Sequence, residues 1–251
     1  MATRTEAVEK LKIVKVQPMA AIPGGDLEIR GQGFASVEHP TVTLGGEPAS
    51  LVIASDSHII ARVPETATTG ALVVASGSKQ SEIWETHIGI QIADSLHPVA
   101  NPAVDSEGNI YSTFSGSRGQ KSPVSIYKID TSYTCRPFVT ELMNPTGLAF
   151  DKTGLLYVSS RYDGIIYQIT PTGNMSVYVE GMGVATGIAF DNDENLYVGD
   201  RSGTIFKISR NRQIYVFATL EPSIAAYHLA FGPDDNLYIT GPTTSSFDAV
   251  H

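Results

Sequence analysis

The amino-acid sequence predicts an all-β protein in two parts, a β-sandwich followed by an array of small repeated sheets. Three observations favour this fold class. Short segments with apolar residues at every second position, which is the period of a β-strand, are separated by glycine and proline. A phrase ending in Leu-Tyr-Val or a close variant recurs after residue 101. Glycine and tyrosine are frequent, at 23 and 11 of 251 residues, and long amphipathic runs are absent.

Residues 11–93 contain short predicted strands bounded by turn residues such as Pro23-Gly24-Gly25 and Gly45-Gly46. The predicted strands are residues 11–16, 26–30, 41–44, 49–54, 58–63, 70–75 and 84–92. Strands of this length, with a turn signal roughly every 8–12 residues, predict an immunoglobulin-like β-sandwich. Gly31 and Gly33 bracket one turn, where we expect positive φ angles.

The glycines and prolines of this part follow a definite order. It contains Pro23-Gly24-Gly25, then Ile29-Arg30-Gly31-Gln32-Gly33-Phe34, then Val63-Pro64 and Gly70. This order resembles that of IPT/TIG domains over residues 11–93. The resemblance implies an immunoglobulin-like fold and a binding or spacer role, since such domains are not enzymes by themselves. A polar tail at residues 1–10 precedes this domain, and a proline-containing linker at residues 94–100 follows it.

The repeated phrase organises residues 101–251. Its copies align on Tyr111, Tyr157, Tyr197 and Tyr238, and each reads as up to four short strands. Four strands in ~40 residues predict the blades of a β-propeller. The first copy is longer because of a Gly/Ser/Lys/Arg loop at residues 115–122.

The fourth copy ends inside its predicted third strand, at residues 247–251. We therefore expect an incomplete propeller of about three and a half blades and a chain that is a fragment of a longer protein. An open propeller leaves strand edges unpaired, which predicts edge-to-edge self-association. The alternative is a compact four-bladed ring completed by strands from residues 81–92.

The repeats resemble NHL-repeat and gluconolactonase-like propellers over about residues 98–251. Gluconolactonase-like enzymes bind a divalent metal through carboxylate, Asn and Asp side chains just before the inner strands. The positions that match here are Thr146, Thr186 and Tyr227, and none of them is a carboxylate. Hydroxyl groups of this kind are poor ligands for hard cations. No cofactor is evident, and Ca, Mg or Zn is expected only if the protein is such an enzyme.

Candidate functional residues are those that the repeat register places at the mouth of the propeller. The inner-strand positions are Asn101, Thr146, Thr186, Tyr227 and His228, and the joining turns are Ser160-Arg161, Asp200-Arg201 and Thr240-Gly241. His228 replaces the glycine of the repeat and is the candidate catalytic base. The candidate ligand-binding residues are Asn144, Arg161, Asp200, Arg201 and Tyr227. The alternatives are that His228 is a hydrogen-bonded polar residue, that Asn144 shapes the turn before Pro145, and that the charges are solvated.

Charge and composition exclude several classes of partner. The net charge is −9 without a basic stripe, which disfavours nucleic acid and anionic membrane surfaces. No apolar run approaches the ~20 residues of a membrane span, and the N-terminus lacks the apolar core of a secretory signal. A cytoplasmic location is expected, with export as the alternative. The single cysteine, Cys135, forms no internal disulfide and is expected to be a small apolar residue on a strand.

Two functions remain open from the sequence. The first is a non-catalytic binding or scaffold protein, in which a propeller face takes a protein or small-molecule ligand and the immunoglobulin-like domain is a spacer or docking module. The second is a metal-dependent hydrolase or lyase acting on a lactone or similar small ester, with His228 as base. A carboxylate cluster at the propeller axis would favour the second.

Overall fold

The computed structural model describes residues 11–94, 96, 101–117, 119–222, 227–241 and 249–250. The chain divides into two compact units, one up to Ile92 and the other from Ala93 onward. The described residues form strands, turns and loops without a helix, so the all-β prediction is confirmed. Accordingly, this part of the chain contains no helix that is long and apolar enough to cross a membrane.

Seven of the nine described strands of the first unit overlap the segments that the alternating pattern predicts, and two short strands of two residues each are additional. They are β1 (Lys12–Gln17), β2 (Ala20–Ala21), β3 (Asp26–Gln32), β4 (Thr41–Leu44), β5 (Glu47–Ala54), β6 (His58–Arg62), β7 (Gly70–Ser76), β8 (Lys79–Gln80) and β9 (Trp84–Ile88). Antiparallel β1, β3, β6 and β5 form one sheet, and β4, β7 and β9 form the other. Strand β5 belongs to both sheets, since its first residues pair with β4 and its last with β6.

The core of the first unit lies between the inward faces of these sheets. Leu27, Ile29 and Ile59 of one sheet and Leu44 and Leu72 of the other are at most 1% exposed. Each such side chain contributes roughly 1.5–3 kcal/mol on burial, so the alternation of apolar residues accounts for the sandwich. The predicted immunoglobulin-like fold is confirmed.

Two details of this unit differ from the expectations. Gly33 has the predicted positive φ of 73°, whereas Gly31 does not lie in the positive-φ region. Gly31 is needed for space, because a Cβ there would lie 2.0 Å from the carbonyl oxygen of Lys12. Strands β8 and β9 pair with β7 of the sandwich. The alternative of a four-bladed ring completed by residues 81–92 is therefore wrong.

The second unit consists of consecutive antiparallel meanders. Its strands are β10 (Ala103–Val104), β11 (Ile110–Thr113), β12 (Ile126–Ile129), β13 (Cys135–Val139), β14 (Pro145–Phe150), β15 (Leu156–Ser160), β16 (Ile166–Ile169), β17 (Met175–Val179), β18 (Ala185–Phe190), β19 (Leu196–Asp200), β20 (Thr204–Ile208), β21 (Ile214–Thr219), β22 (His228–Phe231), β23 (Leu237–Gly241) and β24 (Ala249–Val250). They form sheets β10–β13, β14–β17, β18–β21 and β22–β24. These sheets are the predicted propeller blades, the fourth with three strands among the described residues. Cys135 lies on a strand as expected, but it is exposed.

Neighbouring blades are joined by a repeated aromatic contact. Tyr157 on β15 packs edge-to-face against Tyr178 of its own blade and Phe190 of the next blade, with ring centroids 4.9 Å apart in both pairs. Tyr111 and Tyr197 make the same two contacts in their blades, with centroids 5.0 and 5.1 Å from their partners. Each aromatic pair adds about 0.5–1.5 kcal/mol beyond area burial. The tyrosine of the repeated phrase is therefore one of the residues that hold one blade to the next.

The turn before each of these tyrosines is closed by an aspartate. Asp191 accepts hydrogen bonds from the backbone N–H groups of Asp193 and Asn195 and from the Tyr197 hydroxyl. Burial raises the pKa of Asp191, but the hydrogen bonds from Asn195 and the nearby Lys207 outweigh it and hold this pKa below its ordinary value. The aspartate is thus a structural part of the blade and is ionised at neutral pH.

Candidate functional site

A small pocket lies where the inner strands of the blades meet. Its volume is about 170 Å³. The position ten residues before each repeat tyrosine lines it, which is Asn101, Gly147, Gly187 and His228 in the successive blades. We call this space the axial pocket. Its side chains include one amide and one imidazole, and the glycines between them leave the space open.

The two glycines are required by the close approach of neighbouring inner strands. A Cβ at Gly147 would lie 2.4 Å from the carbonyl oxygen of Thr186, and a Cβ at Gly187 would lie 2.4 Å from that of Tyr227. Their N–H groups are already used, since Gly147 donates to Ser159 Oγ and Gly187 to Tyr227 O, both over 2.8 Å. The polar groups left to face a ligand are therefore mainly the side chains of Asn101 and His228.

The threonines that the register places at the mouth are buried between the blades. Thr186 is 2% exposed. Its Oγ1 lies 2.9 Å from Gly199 O and 3.1 Å from Tyr227 O, and the hydroxyl donates its proton to one of these two oxygens. It also accepts a hydrogen bond from Tyr227 N over 3.3 Å. Thr146 similarly lies 3.0 Å from Ala185 O of the next blade. These hydroxyls join adjacent inner strands and do not line the axial pocket.

Tyr227 has a comparable structural position. It is 3% exposed and belongs to the apolar cluster between the third and fourth blades. Its hydroxyl donates to the carbonyl oxygen of Glu221, and burial raises the pKa of this phenol. The ring therefore lies in the core, outside the residues that line the axial pocket, and its predicted ligand-binding role stays a prediction.

Asn144 and Arg161 lie at the loop that extends the first blade. Asn144, 1% exposed, accepts a hydrogen bond from Gly119 N over 2.8 Å and donates to Gly116 O over 3.0 Å. Arg161 Nη2 lies 3.4 Å from Ser115 Oγ, and its buried Nε has no hydrogen-bond partner among the described residues. The amide of Asn144 thus fastens the loop, and the structure places both residues away from the axial lining.

Asp200 and Arg201 follow the second strand of the third blade. The buried Asp200 carboxylate accepts hydrogen bonds from Val184 N over 2.7 Å and from Ser202 Oγ. The Arg201 N–H donates to the Val184 carbonyl oxygen over 3.3 Å. These contacts fix the blade-joining turn. Of the six predicted side chains, His228 is the one that lines the axial pocket, and the ligand-binding roles of the others are untested.

The lining of the axial pocket does not fit a divalent metal ion. The described lining residues offer the oxygen or nitrogen atoms of Asn101 and His228 and no carboxylate, whereas calcium, magnesium and zinc sites need more ligands than these. Across all described residues, no group of three or more His, Cys, Asp or Glu side chains is placed to hold a metal ion.

The first unit has a recognised family. Residues 11–88 match the IPT/TIG domain family, so this part of the chain is an IPT/TIG domain, as its glycine and proline order indicates. No curated protein matches the chain by sequence.

Solved structures resemble the chain at low sequence identity. An auxiliary nutrient binding protein from Bacteroides thetaiotaomicron superposes with a TM-score of 0.50 at 14% identity, over 92% of this chain and 64% of that one. A virginiamycin B lyase from Staphylococcus aureus gives a TM-score of 0.47 at 15% identity, over 99% and 71% of the two chains. A gluconolactonase-like protein gives 0.45 at 17% identity, over 69% of each. The chain thus spans less than two thirds of the nutrient binding protein, and the likeness shows a fold and not an activity.

Proposed function

We propose that this protein is a non-catalytic binding protein whose propeller holds a small, neutral, polar molecule in the axial pocket. The IPT/TIG domain then acts as a spacer or docking module. The observation that carries the proposal is a departure from glycine at one repeat position in the first and fourth blades. Asn101 and His228 occupy the repeat position that Gly147 and Gly187 occupy in the blades between them.

The chemistry of these two side chains favours a ligand with hydroxyl or amide groups. The Asn101 amide offers two donors and an acceptor, and an imidazole adds a donor or acceptor at each ring nitrogen. The glycine N–H groups are already bonded within the protein, so they do not compete for a ligand. A pocket of about 170 Å³ limits the ligand to a small molecule, and a monosaccharide is the simplest one with several hydroxyl groups. A binding role is also what the name of the nutrient binding protein of similar fold states for that protein.

Ligand-observed NMR with glucose, galactose, xylose and small amides tests this proposal. We expect at least one of these probes to bind, with affinity reduced about tenfold in His228→Ala and in Asn101→Ala, because each variant loses a hydrogen bond to the ligand worth about 1.4 kcal/mol. His39→Ala is the matched control, since His39 is an exposed histidine of the other unit. The proposal fails if no probe binds, or if binding is the same in His228→Ala and the wild type.

A second candidate, a hydrolase or lyase, is favoured by the position of His228 at the pocket. The same samples distinguish it, because a lactone probe such as γ-butyrolactone can be followed over hours with added calcium, magnesium or zinc. Turnover that requires His228 would replace the binding proposal, and an unchanged probe spectrum would leave it in place.

A further inference from the structure

A second and larger cavity lies between the second and third blades, away from the axial residues. Its volume is about 510 Å³, within the range of roughly 300–1,000 Å³ that small-molecule sites occupy. The turn after β14, strand β16 and the hairpin turn between β20 and β21 contribute to its walls. We call it the interblade cleft.

One residue that lines the cleft departs from the repeat. Lys128 and Lys207 stand opposite the repeat tyrosines of the first and third blades, and each Nζ lies 5.3 Å from the tyrosine ring centroid. The residue opposite Tyr157 in the second blade is Gln168. Its shorter, uncharged side chain donates to the Tyr157 hydroxyl over 2.5 Å. The Tyr157 ring therefore has no lysine opposite it, unlike the tyrosines of the neighbouring blades.

The inner wall of the cleft is aromatic. Tyr157, Tyr178 and Phe190 all contribute, and they are mutually fixed by the edge-to-face contacts between the blades. Burial raises the pKa of Tyr157 to about 12, so its hydroxyl keeps its proton and donates to Asp151 Oδ2 over 3.3 Å. This wall offers aromatic surface, and the hydroxyl of Tyr157 is already paired with Asp151 and Gln168.

The rim of the cleft carries an arginine, Arg212, whose guanidinium is available to bind a ligand. Arg212 is exposed and lies with its Cζ 4.8 Å from the Tyr178 ring centroid, and its guanidinium makes no hydrogen bond with the described residues. Arg210, in contrast, already donates from Nε to Asp193 O over 2.7 Å. The carboxylates in the cleft are also engaged, since Asp151 accepts from Leu155 N over 2.9 Å and Glu194 accepts from Lys152 N over 3.3 Å. The Arg212 guanidinium is thus free to accept an anionic partner.

We propose that the interblade cleft binds a small aromatic carboxylate. The ring lies against Tyr178 and Phe190, and the carboxylate pairs with the guanidinium of Arg212. A guanidinium binds a carboxylate through two parallel hydrogen bonds, which sets the orientation of the ring along the aromatic wall.

The probes are benzoate, 4-hydroxyphenylacetate and indole-3-acetate, each compared with its neutral amide by saturation-transfer NMR and calorimetry. We expect at least one acid to bind more tightly than its amide. Arg212→Gln should weaken that binding by about tenfold or more, since it removes a charge-assisted pair. Gln168→Lys should also abolish it, because this substitution restores the side chain that covers the equivalent tyrosine in two other blades.

Two controls make the result specific to the cleft. Arg136→Gln removes an exposed arginine from the first blade and should leave binding unchanged. His228→Ala alters the axial pocket and should also leave it unchanged, so the two proposed sites are tested separately. The proposal is overturned if none of the acids binds, if amides bind equally well, or if Arg212→Gln binds like the wild type. If circular dichroism shows that Gln168→Lys does not fold, the question is decided by Arg212→Gln, which changes an exposed residue.

Discussion

Substitution of Thr186 by valine tests whether the buried threonines hold the blades together. Valine keeps the shape of the side chain and removes its hydroxyl. That hydroxyl donates one hydrogen bond, to Gly199 O or Tyr227 O, and accepts one from Tyr227 N. The lost bond costs about 1 kcal/mol, and the N–H of Tyr227 is left buried without that partner, which costs about 1–3 kcal/mol. We expect Thr186→Val to lower the free energy of unfolding by about 2–4 kcal/mol.

The sequence supplies a clean assay for this prediction. All 11 tyrosines lie in the second unit, and the single tryptophan, Trp84, lies in the first. Tyrosine fluorescence during urea unfolding therefore reports the propeller, and tryptophan emission reports the IPT/TIG domain. Thr219→Val is the matched control, because Thr219 is exposed at the end of β21. A surface change of this kind is expected to stay within about 0.5 kcal/mol.

The reasoning is refuted if Thr186→Val and Thr219→Val unfold at the same urea concentration in the tyrosine signal. Such a result would mean that the hydroxyl bridges between inner strands add no net stability. The blades would then be held together by apolar and aromatic contacts alone.

Three further changes test other parts of the propeller. Gly147→Ala should destabilise it by about 3 kcal/mol or more in urea unfolding, because the added Cβ meets the backbone of Thr186. Asp191→Asn should flatten the acid dependence of stability. The folded-state pKa of Asp191 is lowered, so its contribution is present above the unfolded pKa of about 3.9 and is lost as the pH falls through the folded pKa. An equally steep acid transition in the variant would contradict this. Asn144→Ala should release the loop that its amide fastens, so that trypsin cleaves faster after Lys121 in limited proteolysis, while an unchanged cleavage rate would show that the amide is dispensable.

The sequence predicts many of the strands well because they have one buried face. In β4 the alternation of Thr41, Val42, Thr43 and Leu44 places two apolar side chains in the core, and the observed strand has the predicted bounds. The blades are similarly predictable, since the repeat tyrosine recurs with an apolar strand on either side. Period and turn residues are local properties, and the sequence displays them directly.

The site is less predictable because it depends on contacts between blades. The repeat register shows that Thr146 and Thr186 recur, but not that carbonyl groups of the next blade capture their hydroxyls. The axial pocket is lined one position later, at Gly147 and Gly187. Alignment on the tyrosines places these glycines at the same repeat position as Asn101 and His228. The sequence therefore contains a signal from which the lining of the pocket could be found. The position of Arg212 over a tyrosine of the preceding blade is visible only in three dimensions.

The tyrosine–phenylalanine contact between neighbouring blades also bears on how the number of blades in such a chain can change. The second and third blades each supply a tyrosine on the second strand and a phenylalanine on the first, as Tyr197 and Phe190 do in the third blade. A duplicated blade inserted between two others would present both groups, and its neighbours would already carry the matching partners. Gene duplication can therefore add or remove a blade without a new interface having to evolve, because stability in such arrays depends on nearest neighbours.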